Sequence, residues 1–92
     1  MNGTTMNELY DYLKNGHEIS FQFAGGEYSL ESDETILSLW KYRSDEGICI
    51  AKTEISEHTN FKSALDALLS INCLEGKSFI EAERDITIDV IY

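Results

Sequence analysis

The chain has 92 residues, 17 of them acidic against seven basic, for a formal charge of -10. That length allows one domain with a single modest core, and the 42% apolar content, with four Phe, five Tyr and one Trp, excludes disorder as the ground state. The bases Lys14, Lys41, Arg43, Lys52, Lys62, Lys77 and Arg84 are scattered and offer no stripe for phosphate contacts, which sets direct nucleic-acid binding aside.

Met6, Leu9, Tyr10 and Leu13 recur at helical spacing, with Thr5 and Glu8 as a capping box and Asn15-Gly16 as the stop. Ile19, Phe21 and Phe23 then alternate with polar residues as a half-buried strand, and Gly25-Gly26 permits a tight hairpin into Tyr28 and Leu30. After a turn at Ser32-Asp33-Glu34, Ile36 to Tyr42 predicts a third strand. It is apolar on both faces, with Leu37 and Leu39 on one and Ile36, Trp40 and Tyr42 on the other, which places it centrally under a helix. Arg43 to Gly47 reads as a hairpin loop and Ile48 to Thr53 as the fourth strand.

From Asn60 to about Asn72, Phe61, Ala64, Leu65, Leu68 and Leu69 form an apolar helical stripe. A second capping box, Ser78 with Glu81, opens a short helix ending near Arg84, and Ile86, Ile88 and Val90 alternate in a closing strand. Strands running consecutively between helices predict a single α+β domain over 1–92. Its antiparallel sheet of four to five strands is covered on one face by two main helices. The expected core is Phe21, Phe23, Leu39, Trp40, Phe61, Leu65, Leu68 and Phe79.

The succession E-I-S-F-Q-F, G-G-E-Y-S-L, a Trp on the next strand, a Phe-led leucine helix, G-K-S-F-I-E-A and D-I-T-I-D-V-I-Y resembles small acidic proteins of Gram-positive bacteria and their prophages. The resemblance spans nearly the whole chain and rests on turns, caps and alternation. It implies a mobile-element setting, in which small acidic proteins often inhibit nucleic-acid machinery, and brings no active site with it.

Gly76-Lys77-Ser78 has the ending of a phosphate loop, but Ile71 stands where that motif needs its first glycine; Ser78 reads as a helix cap. His17, Cys49, His58 and Cys73 are zinc-ligand types without the paired spacing that lets one turn present two ligands, so no metal or other cofactor is expected. No export signal and no apolar run near the ~20 residues of a membrane span is present. A cytoplasmic location away from membranes, with both cysteines as buried free thiols, is therefore the expectation. Serines and paired carboxylates lie on strands and polar turns without a base or a desolvated partner, so no catalytic residue is assigned and the chain is read as a non-enzyme.

Two acidic groups carry the remaining signal: Glu27, Glu31, Asp33 and Glu34 on the second strand and its turn, and Glu81, Glu83, Asp85 and Asp89 near the C-terminal end. Brought together, they would imitate a row of phosphates; apart, they solvate the surface. The reading is a binding domain for a basic protein partner, such as a host protein whose nucleic-acid surface it occupies. The rivals are an immunity or antitoxin protein neutralising a basic toxin, and a homodimeric accessory domain that pairs through its last strand. The chain is accordingly expected as a monomer or a homodimer.

Overall fold

In the computed structural model, which describes residues Met1–Tyr92, α1 (Met6–Lys14) leads into β1 (Ile19–Phe23), β2 (Gly26–Ser32), β3 (Ile36–Arg43) and β4 (Glu46–Glu54). Then follow α2 (Phe61–Leu69), α3 (Phe79–Ala82), a 3-10 turn at Glu83–Asp85, and β5 (Thr87–Ile91). The strands make one antiparallel sheet in the order β4-β3-β2-β1-β5. This is the α+β architecture that the element order predicts.

Local chemistry fixes the ends of the helices. Thr5 and Glu8 exchange backbone-to-side-chain hydrogen bonds of 3.2 Å, and Ser78 and Glu81 do the same at 3.1 Å. α2 is capped by Asn60, whose side-chain oxygen accepts from the Ser63 N–H. It stops at Leu69, the last residue of the apolar stripe and short of the expected end near Asn72, because the Ser70 hydroxyl donates to the Asp66 carbonyl. The Ser70 and Ile71 amides meanwhile bond back three residues, tightening the last turn.

The first hairpin is as tight as expected but turns one residue earlier, and the second is tighter than expected. The first turns on Ala24-Gly25, with φ of 51° and 77°, and Gly26 already belongs to β2. Ser44-Asp45 alone connects β3 to β4, with Ser44 at φ 55°, so the loop expected over Arg43 to Gly47 is mostly strand.

All three helices lie over one face of the sheet. Ile19, Phe21, Phe23, Tyr28, Leu30, Leu37 and Leu39 are buried there against Leu9 and Leu13 of α1, Leu65, Leu68 and Leu69 of α2, and Phe79. Phe21 stacks on Tyr28 with ring centroids 5.3 Å apart and meets Phe79 edge-on at 5.2 Å. Two expected core residues stand elsewhere. Phe61, at the first position of α2, is half-buried at the rim against Tyr10. Trp40 is half-buried on the opposite face, because a residue next to Leu39 in an extended strand must leave the face Leu39 occupies. No helix covers that second face, so β3 is apolar on both sides without being sandwiched.

Two bulges interrupt the alternation. In β5, Phe21 pairs with Ile88 and Ser20 with Val90, so Asp89 is the extra residue and the parity flips. Val90 is therefore exposed, while Ile91 returns to the core side opposite Ile19. In β4, Ile50 is the extra residue between Ala51, opposite Leu39, and Cys49, opposite Trp40. Cys49 is thereby exposed and only Cys73 is partly buried, which corrects the expectation of two buried thiols.

The outer edge of β5 is partly occupied: Asn2 bridges to Thr87, donating to the Ile86 carbonyl and accepting from the Ile88 N–H. The free edge is β4, where the bulge and Lys52 are features that discourage strand addition. Truncating Leu39 or Leu68 to alanine is expected to cost ~2–5 kcal/mol, as for other fully buried leucines. Phe61→Ala, at the rim, is expected to cost less than either. Urea unfolding of the three variants measures the order, and an equal or larger loss for Phe61 contradicts the packing described.

Candidate functional site

The uncovered face is built by strand register. One row across the sheet runs Thr87, Gln22, Glu27, Tyr42, Gly47; the next runs Val90, Ser20, Ser29, Trp40, Cys49. Beyond them Glu31 stands beside Ser38, which in turn faces Lys52 on β4, and Glu18, which precedes Ile19, lies across from Glu31. The Tyr92 N–H donates to the Glu18 carbonyl and anchors Tyr92 at this corner. The polar residues that alternate with the core in β1 and β2 thus meet the aromatic residues of β3.

Short polar contacts fix the aromatic groups. The Ser29 hydroxyl, 1% exposed, donates to the Tyr42 hydroxyl at 3.1 Å, and the Trp40 indole N–H donates to the Ser38 hydroxyl at 2.9 Å. Tyr42 lies close over its cross-strand neighbour Gly47: a Cβ there would come within 2.7 Å of the ring. Between β5, β1, β2 and β3 the face sinks into a cavity of about 280 Å³. Glu18, Glu27, Asp89, Ser20, Ser29, Tyr42 and Tyr92 contribute to its lining.

The expected acidic residues divide between this face and the rest of the molecule. Glu27 and Asp89 line the cavity, and Glu31 stands next to it. Asp33 is occupied by the β2–β3 turn, where one carboxylate oxygen accepts from the Thr35 and Ile36 amides at 2.8 and 2.7 Å. Glu34 lies with Asp33 in a separate cleft against the end of α1. Glu81 caps α3, and Glu83 and Asp85 lie on the following 3-10 turn. The two sequence groups therefore meet only through Glu27, Glu31 and Asp89. Glu18, Trp40, Tyr42 and Tyr92 complete the face and were not singled out as site residues. The alternation in β1 and β3 holds the signal for all but Tyr92, since Glu18 and Trp40 each sit one residue from a core position and Tyr42 follows Trp40 at the strand period.

None of the acids on this face has a basic partner. The two ion pairs of the chain are Lys41 with Glu75 and Lys62 with Asp66. Lys52 is the sole base on the uncovered face, on the far edge strand. Partial burial raises the Glu31 pKa above its usual value, and the neighbouring Glu18 carboxylate adds to the effect. The Asp33 carboxyl moves the other way, held low by the backbone amides of Thr35 and Ile36 and by the Thr35 hydroxyl.

The other candidate chemistry resolves into structural roles. Ser78 caps α3 and Lys77 exchanges backbone hydrogen bonds with Leu74, which accounts for Gly76-Lys77-Ser78. His17 and His58 are exposed, His17 edge-on to Tyr12. Burial pushes the Cys73 thiol up, away from the reactive thiolate. No three His, Cys, Asp or Glu side chains converge as a metal cage, and no helix is long and apolar enough to cross a membrane. No known protein family, curated protein or solved structure matches this chain.

The two carboxyl shifts have opposite consequences for stability. Glu31, with a raised folded-state pKa, costs stability once ionised; the penalty is absent below its unfolded pKa and complete above the folded one. Glu31→Gln is expected to raise the melting temperature at about pH 7 and to leave it unchanged near pH 3. Asp33, with a lowered pKa, contributes stability above its unfolded value that is lost on acidification through the folded one. Asp33→Ala is therefore expected to destabilise at neutral pH, with the loss shrinking in acid. Thermal melts across that range check both signs.

Gly47→Ala supplies a geometric test of the face. The added Cβ displaces Tyr42 and breaks its contact with Ser29, at a cost of about 1 kcal/mol as for other overpacked sites. Proton spectra in which the Tyr42 ring resonances do not move contradict this.

Proposed function

We propose that the protein is a non-catalytic binding domain that holds a basic protein surface, of the kind that otherwise contacts nucleic acid, against the uncovered face of its sheet. The observation that carries this reading is the juxtaposition of Trp40 and Tyr42 with Glu18, Glu27, Glu31 and Asp89, acids that have no ion pair within the chain. Tyr and Trp are the residues that most often anchor protein interfaces, because they bury a large area at low entropy cost. Unpaired carboxylates around them speed association with a cationic surface and exclude anionic ones. The Trp40 and Tyr42 rings are held in place by Ser38 and Ser29, so little ordering is left for the moment of binding.

Two charge-matched variants test the reading. In one, Glu18, Glu27 and Glu31 are reversed to lysine; in the other, Glu57, Glu75 and Glu83 are. Each protein is immobilised and exposed to host-cell lysate at ~0.05 M and ~0.3 M salt, conditions between which screening of exposed charges changes strongly. A basic partner is expected to be retained by the wild type and by the second variant at low salt, and to be released at high salt. The sheet-face variant is expected to lose about an order of magnitude in retention. Equal loss from both variants attributes the attraction to net charge and overturns the assignment to this face; a wild type that retains nothing basic overturns the reading itself.

A further inference from the structure

The cavity on the uncovered face is specific in size and lining as well as in charge. At about 280 Å³ it falls just below the ~300–1,000 Å³ of small-molecule sites, too small for a nucleotide and suited to one long side chain. Its carboxylates, Glu18, Glu27 and Asp89, come from three separate segments and do not form a metal cage, so they present spread acceptors to a ligand with several donors. Tyr42 and Tyr92 add aromatic surface. The Ser29–Tyr42 hydroxyl pair leaves further lone pairs at the wall, and the close approach over Gly47 sets the Tyr42 ring.

This lining discriminates among cations. An ammonium is compact and strongly hydrated, whereas a guanidinium is planar, weakly hydrated, stacks on aromatic rings and distributes five N–H donors. No lysine or arginine of the chain pairs with the cavity's carboxylates: Lys52 lies on the far edge strand, and Lys41, 5.6 Å from the ring centroid of the lining residue Tyr28, is paired with Glu75. Around the cavity, Trp40 and Glu31 continue the same face, so residues flanking an inserted side chain would be covered as well. We propose that the cavity takes an arginine side chain of the basic protein partner, its guanidinium against the tyrosine rings and hydrogen-bonded to Glu27 and Asp89. This rests on the reading of the face as a surface for a basic protein, and names the group that anchors it.

The test is a titration of the isotope-labelled full chain, followed by amide and aromatic NMR shifts. The probes are blocked peptides Lys-Gly-X-Gly-Lys, in which X is arginine, lysine or citrulline, together with arginine amide. The arginine peptide is expected to shift Ser29, Tyr42 and Tyr92 and to bind about fivefold more tightly than the lysine peptide, the gain of one cation–π contact with charge-assisted hydrogen bonds. The citrulline peptide should bind most weakly. The double variant Glu27→Gln, Tyr92→Ala, both exposed positions, is expected to reduce the arginine preference to below about twofold. Equal, salt-sensitive binding of the arginine and lysine peptides, with shifts spread over the sheet face, overturns the arginine anchor and leaves the acidic-face reading standing. Binding of arginine amide as tight as the arginine peptide overturns the assignment to a protein partner. Absence of binding by every probe, or shifts confined to the helical side, overturns both.

Discussion

The sheet is covered on one face alone, and the rest of the molecule follows from that. α1 and α2 have nine residues each and α3 only four, so the helices together span little more than one layer over five strands. Eighteen buried apolar residues make a single cluster between helices and sheet. In an antiparallel sheet this arrangement sends every second residue to the other face, which in β1 and β2 is polar: Ser20, Gln22, Glu27, Ser29 and Glu31. β3 breaks the rule, because Trp40 and Tyr42 occupy solvent-side positions. Large aromatic residues at such positions, fixed by hydrogen bonds to neighbouring serines, are not needed to close the core.

The bulges adjust this division at both ends of the sheet. An unbroken alternation in β5 would place Val90 in the core opposite the buried Ile19 and leave Ile91 outside. The extra residue reverses them and takes Asp89 to the cavity, beside Glu18 and Tyr92. In β4 the extra Ile50 lets Ala51 sit under α2 while Cys49 stays level with Trp40. A small residue suits that place, since α2 crosses here and the Thr53 hydroxyl donates to the Ala64 carbonyl of the helix.

Most of the fold was legible in the sequence because its signals are local. The reciprocal caps of Thr5 with Glu8 and Ser78 with Glu81, the stop at Gly16 and the alternation of Ile19, Phe21 and Phe23 each depend on residues a few positions apart. Trp40 was misplaced because hydrophobicity alone says that it prefers burial, and cannot say whether a second helical layer exists to bury it. Half of the acidic site was legible for a related reason. Glu27 and Glu31 share a face by strand period, but the meeting of Glu18, Asp89 and Tyr92 depends on β5 crossing back to pair with β1, a long-range choice that no local pattern encodes. Asp33 was grouped with the recognition acids on charge, whereas its chemistry is that of a turn residue accepting backbone hydrogen bonds.

Net charge and its placement answer different questions. Solubility is served by acids at any exposed position, and Asp45, Glu46, Glu57 and Asp85 supply them away from the uncovered face. Glu18 and Glu31 are placed otherwise: they face each other across adjacent strands, partial burial raises the Glu31 pKa, and no lysine or arginine relieves the pair. Like charges opposite one another in a sheet destabilise it, so this arrangement carries a cost that a merely solubilising surface avoids. A cation arriving from outside would remove that cost, since it stabilises the ionised form of both carboxylates at once. The number of acids in this chain suits solubility; their concentration around Tyr42 and Tyr92, on the one face the helices leave open, is the arrangement that supports the proposed positively charged ligand.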